Sequence, residues 1–290
     1  MGRIMRRLSA ADPLRGRSLL SDKMRTLAWC AEHGLPTAGA LVTVQDGEVV
    51  NGSADGWPDT DLFSKLTRAY GGTGARRWTR VASGQWLASE GDGGPVDRDG
   101  LLAALRQQSC ETGQPVLLQR ALENHPDVAA LTNGALATVR VVTLRALSGA
   151  ISLFSATYRM PTGGAVIDAF SHGGMAAPVD TETGQLGPAG TLRMAATGVA
   201  ADTHPDTGAR ITGVRLPDWD AVVALVLRAH AVVPGLVPLI GWDVALTADG
   251  PVLIEGNVPP SSALMQVPRR RPLGETPVVA TILEYLDALP

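Results

Sequence analysis

Thiols are scarce. The chain of 290 residues holds two cysteines, Cys30 and Cys110, far apart and in no Cys-x-x-Cys pattern. That excludes a disulfide scaffold and a zinc–thiolate centre, and it makes a reducing cytoplasm the expected setting. Long apolar runs are absent: none approaches the ~18 residues of a membrane helix. The basic opening, MGRIMRRLSAADPLRGRS, is not followed by the apolar stretch of a secretory signal. Charge of one sign is also missing. A net charge of −3 excludes a chain-wide electrostatic drive toward nucleic acid or an anionic membrane. There is no Gly-x-Ser-x-Gly elbow, no Walker A Gly-Lys-Ser/Thr and no Gly-x-Gly-x-x-Gly fingerprint. A covalent hydrolase, a P-loop enzyme and a dinucleotide fold are therefore disfavoured. Lysine is the scarcest cation: of 25 basic side chains only Lys23 and Lys65 are not arginine. A GC-rich genome accounts for the arginines. It leaves two lysines, compact point charges that suit a phosphate oxygen where space is tight.

What is present is globular. The chain is 45% apolar and 18% charged, long enough for one large domain or two modest ones. Residues 1–20 read as a loose basic arm. Ser21 is placed to cap a helix from Asp22 to about His33, with Lys23 in its first turn. Short strands follow at Leu41–Val44, Glu48–Val50 and Leu62–Leu66, the last containing Lys65. A glycine-rich loop, Tyr70–Gly74, comes next. A hairpin is expected around Ser83-Gly84, a helix over Asp99–Glu111 and a strand over Pro115–Arg120. Thr138–Leu147 and Ala150–Tyr158 read as a hairpin pair. Residues 160–215, rich in Gly, Thr, Pro and Ala, read as short strands and long loops that carry a site. Pro217–Val233 is a largely buried helix, Leu239–Thr247 and Val252–Asn257 are strands, and Val278–Leu286 is a last helix. Hairpins and an excess of strands predict an α+β fold with mainly antiparallel sheets.

The C-terminal hairpin is the strongest chemical signal. With a three-residue loop, Ala248-Asp249-Gly250, Thr247 faces Pro251 and Asp243 falls opposite Glu255. Asn257, two residues on, shares the face of Glu255. Two carboxylates this close need a cation between them, and a small set of hard oxygen ligands suits Mg²⁺. The competing reading is a sheet edge with two solvated acids, and a register slip of one residue splits the pair. Gly71-Gly72-Thr73-Gly74 is suited to folding backbone N–H groups over phosphates, although most such loops are ordinary turns. Arg140 and Arg159 lie in or beside apolar strands and need an anionic partner. Either a protein carboxylate or a substrate phosphate or carboxylate meets that need. His125 and His172 sit near turns without a second ligand at metal spacing.

In this order the motifs resemble an ATP-grasp enzyme. Ser21-Asp22-Lys23 with Gly34-Leu35-Pro36-Thr37 is similar to the opening of that family's nucleotide-binding portion. Phe63-Ser64-Lys65 with Gly71–Gly74 is similar to its second lysine and mobile loop, and Gly241-Trp242-Asp243 with Leu253-Ile254-Glu255-Gly256-Asn257 to its magnesium hairpin. Glu123-Asn124-His125-Pro126, Thr138–Thr143 and Asp168–Gly174 resemble the sugar-transfer-associated branch. The likeness runs from about residue 20 to 270.

The resemblance implies an α+β ATP-grasp fold whose two subdomains, a lid over 21–122 and a C-terminal part over 123–290, clasp ATP. Lys23 and Lys65 then hold the α- and β-phosphates, with Gly71, Gly72 and Gly74 above them. Gln119, Arg120, Ala121 and Leu122 meet the adenine edge. Asp243, Glu255 and Asn257 hold Mg²⁺. Arg140 and Arg159 sit near the γ-phosphate and the acyl acceptor. Asp168, His172, Gly173 and Gly174 belong to the substrate. Gln119 replaces the family's frequent acid, and Ala169 stands where the branch usually has Asn. The reaction implied is ligation of a small-molecule or peptide carboxylate to an amine through an acyl phosphate in a biosynthetic pathway. No nucleic acid or membrane takes part, and a partner protein or oligomer is a candidate source of part of the substrate site. A small-molecule kinase and a non-catalytic nucleotide-binding module are the rival readings.

Overall fold

The computed structural model describes residues 16–53, 55–69, 71–90, 93–163, 170, 173–193, 200–235 and 237–288. The chain forms two compact units. The smaller comprises Asp22–Ala28 and Thr37–Leu122; the larger comprises the described residues of Met1–Ser21, Trp29–Pro36 and Glu123–Pro290. Residues 16–20, expected to be part of a loose arm, instead form a short helix, α1 (Gly16–Leu20), with Leu19 and Leu20 buried. Helix α2 (Lys23–Glu32) begins one residue later than predicted and is capped differently. The Asp22 carboxylate accepts from the N–H groups of Met24 at 3.0 Å and Arg25 at 3.3 Å. Ser21 turns back to the Ser18 carbonyl. Both residue types cap helices, and only the chain path decides between them.

The smaller unit contains β1 (Val42–Gln45), β2 (Glu48–Gly52), β3 (Leu62–Leu66), β4 (Arg76–Ala82), β5 (Gln85–Ala88), α3 (Arg98–Thr112) and β6 (Val116–Arg120). The strands form one antiparallel sheet in the order β2-β1-β6-β3-β4-β5. Asp46 and Gly47, both at positive φ, join β1 and β2, as a two-residue hairpin with the sheet's twist requires. Asp97 caps α3 through the Gly100 N–H at 2.9 Å, and Gly113 ends it in the left-handed conformation. Leu101, Leu102 and Leu105 of α3 pack on Val42, Val44, Leu62, Leu66, Val116 and Leu118. By alternation, Phe63, Lys65, Leu117 and Gln119 lie on the opposite face, Lys65 paired with Leu117 and Phe63 with Gln119.

The larger unit contains α4 (Pro126–Ala129), β7 (Thr138–Arg145), β8 (Ile151–Met160), β9 (Met175–Val179), α5 (Trp219–Val232), β10 (Leu239–Thr247), β11 (Gly250–Asn257), α6 (Ser262–Gln266) and α7 (Pro277–Asp287). Its sheet is antiparallel throughout, in the order β11-β10-β7-β8-β9. One face is apolar: Val139, Val141, Tyr158, Ile240, Trp242 and Val244 pack with Val222, Val226 and Ala229 of α5 and with Leu20 and Trp29. Part of the other face, Val142, Leu144 and Leu239, is covered by Val278, Ile282 and Tyr285 of α7. Residues 174–216 hold β9 and isolated bridges such as Ala189 with Ala201 and Thr203 with Arg210. The short helices α4 and α6 have no periodicity long enough to announce them.

One chain of buried polar groups in the larger unit is matched link by link. Trp242 Nε1 donates to Thr143 Oγ1 at 2.9 Å, and Thr143 meets His230 Nδ1 at 2.6 Å. His230 Nε2 meets the Val237 carbonyl at 2.8 Å. With Thr143 accepting from Trp242, its own proton goes to Nδ1, and the imidazole donates through Nε2. Burial pushes the His230 pKa down to about 4, so the ring is neutral near pH 7. Arg145 caps the end of α5 by donating to the carbonyls of His230 and Gly235. No helix among the described residues is long and apolar enough to cross a membrane.

Candidate functional site

The face covered by α7 changes character along the strands. Beyond Val142 and Leu239 it carries Thr138 and Arg140 on β7, Thr157 and Arg159 on β8, Asp243 on β10, and Glu255 and Asn257 on β11. Register brings them into rows. Arg140 pairs with Asp243 on one side and Thr157 on the other; Asp243 pairs with Glu255; Gly241 pairs with Asn257; Thr138 pairs with Arg159.

The expected pairing of Asp243 with Glu255 is found, for a different reason. The turn has two residues, because Thr247 pairs with Gly250. Counted from that turn, Asp243 would face Ile254 and the two carboxylates would fall on opposite sides of the sheet. A bulge between Asp243 and Val244 takes up one extra residue of β11 and restores the pair. A bulge beside functional side chains that re-aims them is a common use of the device.

Arg140 and Asp243 form a buried fork. Arg140 Nε donates to Asp243 Oδ1 and Arg140 Nη2 to Oδ2 at 2.8 Å. Arg159 Nη2 donates to the same Oδ2 at 2.9 Å, and both Nε and Nη2 of Arg159 reach Thr138 Oγ1. The side chains of Arg140 and Asp243 are 7% and 4% exposed, so the pair is shielded from water. Burial by itself raises the Asp243 pKa; the guanidinium charges of Arg140 and Arg159 outweigh it and hold the carboxyl below the usual range. Of the two partners considered for the arginines, the protein carboxylate is the one found. Gly241 makes the path: a Cβ there would lie 3.0 Å from Arg140 Cδ and 2.8 Å from Pro260 Cβ. On the opposite face Gly256 admits Trp242 and Leu20, which a Cβ would meet at 2.9 and 3.0 Å.

Asn257 Nδ2 donates to Glu255 Oε1 at 3.2 Å and to the Gly241 carbonyl at 3.3 Å. Two carboxylates and an amide on adjacent register positions are hard oxygen donors of the kind Mg²⁺ takes, so the patch fits that ion in chemistry. Asp243 is the member whose two oxygens are already engaged. Among the described residues no group of three or more His, Cys, Asp and Glu side chains is placed to hold a metal.

The smaller unit holds the other predicted residues. Lys23, half-buried in the first turn of α2, donates from Nζ to the Ala69 carbonyl at 2.8 Å. Lys65 is half-buried on the sheet face away from α3. Gly71, Gly72 and Gly74 all have positive φ, with Gly71 and Gly72 exposed. Gly74 is pinned, its carbonyl accepting from Gln108 Nε2 at 2.8 Å. Gln119 is buried and donates to the Gly39 carbonyl. Arg120 is exposed, Leu122 is half-buried, and the Ala121 N–H is taken by the Asp61 carbonyl at 3.0 Å. Asp168 and His172 lie outside the described residues; Gly173 is exposed and Gly174 buried. His125 caps α4, accepting at Nδ1 from the Asp127 N–H. Sequence reading missed Thr138, the second anchor of Arg159, since a threonine in a strand carries no signal of its own.

Structural comparison defines the class: the fold is that of the ATP-grasp enzymes, α+β with two mainly antiparallel sheets. The D-alanine–D-alanine ligase of Bacillus anthracis, solved with ATP, matches with a TM-score of 0.51 at 10% identity, covering 93% of this chain and 68% of that one. The D-alanyl-alanine synthetase A of Vibrio cholerae O1 biovar eltor matches at 0.47 and 12% identity, covering 92% and 67%. The L-amino acid ligase of Bacillus licheniformis matches at 0.40 and 16%, covering 84% of this chain but only 41% of that one. This chain therefore spans about two fifths of the length of that ligase and about two thirds of the other two. No curated protein matches the sequence. Within the class, the chain belongs to the family described as sugar-transfer associated ATP-grasp, matched over residues 9–277. ATP and Mg²⁺ are the expected cofactors.

Proposed function

We propose that this chain is an ATP-dependent ligase that joins a carboxylate to an amine by way of an acyl phosphate, in the biosynthesis of a natural product or the modification of a sugar or peptide. The observation that carries the reading is the patch of Arg140, Arg159, Asp243, Glu255 and Asn257, gathered from four strands onto one half-face of the larger sheet. The ligase activity and bound ATP of the B. anthracis protein of like fold support it.

In this reading Lys23 and Lys65 neutralise the α- and β-phosphates, the loop with Gly71, Gly72 and Gly74 covers them, and backbone groups of Gln119–Leu122 meet the adenine. The Ala121 N–H is already bonded, so its neighbours make that contact. The acidic patch holds Mg²⁺, which when bound offsets phosphate charge. Arg140 and Arg159 orient the terminal phosphoryl group and the acyl oxygen. A substrate carboxylate oxygen attacks the terminal phosphorus and ADP leaves. The amine nitrogen then attacks the acyl carbon; phosphate leaves with the C–O bonding electrons, and the nitrogen loses a proton. The protein supplies placement and fixed charge more than covalent chemistry. Burial of Arg140 and Asp243 supports the exclusion of water that an acyl phosphate requires. Asp168, His172, Gly173 and Gly174 are assigned to the acid or the amine. We place the chain in the cytoplasm, where Cys30 and Cys110, both free thiols, stay reduced.

The test is product analysis with libraries of acids and amines. ADP, phosphate and an amide in equal amounts, dependent on both substrates, are expected, and Glu255→Ala should abolish them. A stable phosphate ester formed from an alcohol would replace ligation with kinase chemistry.

A further inference from the structure

We propose that His204 and Asp206 are positioning residues: they tether the end of β8 and so hold Arg159 in its working place. The inference rests on the reading above, which gives Arg159 the terminal phosphoryl group.

Two turns of one design follow β9. One runs Asp180-Thr181-Glu182-Thr183-Gly184-Gln185 and the other His204-Pro205-Asp206-Thr207-Gly208-Ala209. In each, the N–H of the first residue donates to the carbonyl of the last at 2.8 Å. The glycines, left-handed at φ 73° and 69°, donate back to the first carbonyl. The threonine Oγ1 accepts from the N–H of the last residue, at 3.3 Å in both. The first side chain accepts from the N–H two residues on: Asp180 Oδ1 from Glu182 at 3.1 Å, and His204 Nδ1 from Asp206 at 3.3 Å. Aspartate is a usual residue for that task, and histidine is not.

The side chains at the first, third and fourth positions are used differently. In the first turn Thr183 Oγ1 donates to Asp180 Oδ1 at 2.8 Å. Among the described residues no hydrogen bond leaves that turn from the side chains of Asp180, Glu182 or Thr183. In the second turn all three reach outward. His204 Nδ1 is an acceptor, so the ring proton sits on Nε2, which donates to the Pro161 carbonyl at 3.0 Å. Asp206 Oδ2 accepts from the Gly163 N–H at 2.7 Å. Thr207 Oγ1 donates to the Ala130 carbonyl at 2.7 Å. The first turn closes without such bonds, so the outward ones serve a further purpose.

What they hold is the way out of β8. Arg159 is the penultimate residue of that strand. Pro161 has no N–H to continue the ladder, and being buried it needs a partner for its carbonyl. His204, 1% exposed, supplies that partner. Asn133 Nδ2 takes the Gly163 carbonyl, while Asp206 takes the N–H of the same residue. Thr162 Oγ1 donates to the carbonyl of Gly173, the residue assigned above to the acid or the amine. One short link, fixed at both ends, thus joins the strand of Arg159 to a substrate contact. Fixed spacing of that kind is what in-line attack on the terminal phosphorus requires.

The experiment uses the full chain and two readouts. Calorimetry gives the ratio of MgATP to MgADP affinity, and nuclear magnetic resonance follows amide hydrogen exchange at Gly163. Asp206→Ala should speed that exchange and lower the ATP-to-ADP ratio, each about fivefold, since the lost bond frees the link and only ATP carries the terminal phosphoryl group. Asp206→Asn keeps an acceptor oxygen and should restore both. Glu182→Ala, at the same position of the other turn, should change neither. His204→Asn keeps a cap like that of Asp180 but cannot reach Pro161, and it should lower the ratio as Asp206→Ala does. Should that buried substitution unfold the chain, Asp206, which is exposed, carries the test. Faster exchange at Gly163 with an unchanged ratio would overturn the positioning role and leave a structural one. Unchanged exchange in Asp206→Ala would overturn the tether itself. A wild-type chain that binds MgATP no better than MgADP would overturn the assignment of Arg159 made above, and this proposal with it.

Discussion

The two sheets use charge in opposite ways. In the smaller unit the expected phosphate-binding cations, Lys23 and Lys65, are half-buried, and Lys23 leans on a neutral backbone carbonyl. In the larger unit Arg140 is buried and locked onto Asp243, which Arg159 shares. A half-exposed lysine can change partners at little cost, since water substitutes for any one of them. A buried guanidinium cannot, because losing its carboxylate leaves an uncompensated charge in a poor solvent for it. The first sheet carries adaptable charge and the second carries fixed charge. Binding and placement are separable tasks.

The largest expected effect tests this contrast directly. Asp243→Ala should destabilise the larger unit by about 3–5 kcal/mol, the usual cost of removing one partner of a buried ion pair. Lys65→Ala should cost less than ~1 kcal/mol, as partly exposed substitutions usually do. Urea denaturation of both variants measures it, and equal losses would end the distinction.

The next effect is a pH dependence confined to the larger unit. The His230 pKa is lowered by burial from 6.5 to about 4, so between those values the unfolded chain binds a proton that the folded chain refuses. Stability is then full above about pH 6.5 and falls as pH drops toward 4, by about 3 kcal/mol in all. Denaturation at pH 7, 5.5 and 4.5 should show that slope, and His230→Gln should flatten it.

Gly241→Ala comes third. Its new methyl group meets Arg140 and Pro260, and overpacking of this kind costs roughly 1–3 kcal/mol. Gly84→Ala, at an exposed turn of the smaller unit where a Cβ would meet nothing within 4 Å, should cost about 1 kcal/mol, from its left-handed backbone alone. Thermal melts of the two separate crowding from backbone strain. Of the same small size is Asp22→Ala, which removes the cap of α2 at about 1 kcal/mol. A loss carried instead by Ser21→Ala would return the cap to Ser21.

Much of this was readable beforehand where one element's own pattern suffices. The strand Leu62–Leu66 has the predicted bounds, and α3 and α5 differ from expectation by one or two residues at each end. Glycine and aspartate at turns, and apolar spacing along the helices, are local signals that tertiary packing had no reason to override. The helix α1 was not readable: five residues without period become helical because Leu19 and Leu20 find a core to enter. The parts that Thr138 and Gly241 play beside the arginines were not readable for a related reason, since each acts only through a side chain from another strand.

The sequence by itself determined the order of the longer helices and most of the strands, the antiparallel α+β class, and the presence of two acids and an amide at one end of a hairpin. The tertiary structure alone decided that Asp243 and Glu255 share a face, because a two-residue turn sets one parity and the bulge at Asp243 reverses it. It also decided that Arg140 and Arg159 answer to a protein carboxylate. A strand's sequence fixes which residues share a side, and only pairing with its neighbours fixes which charges meet there.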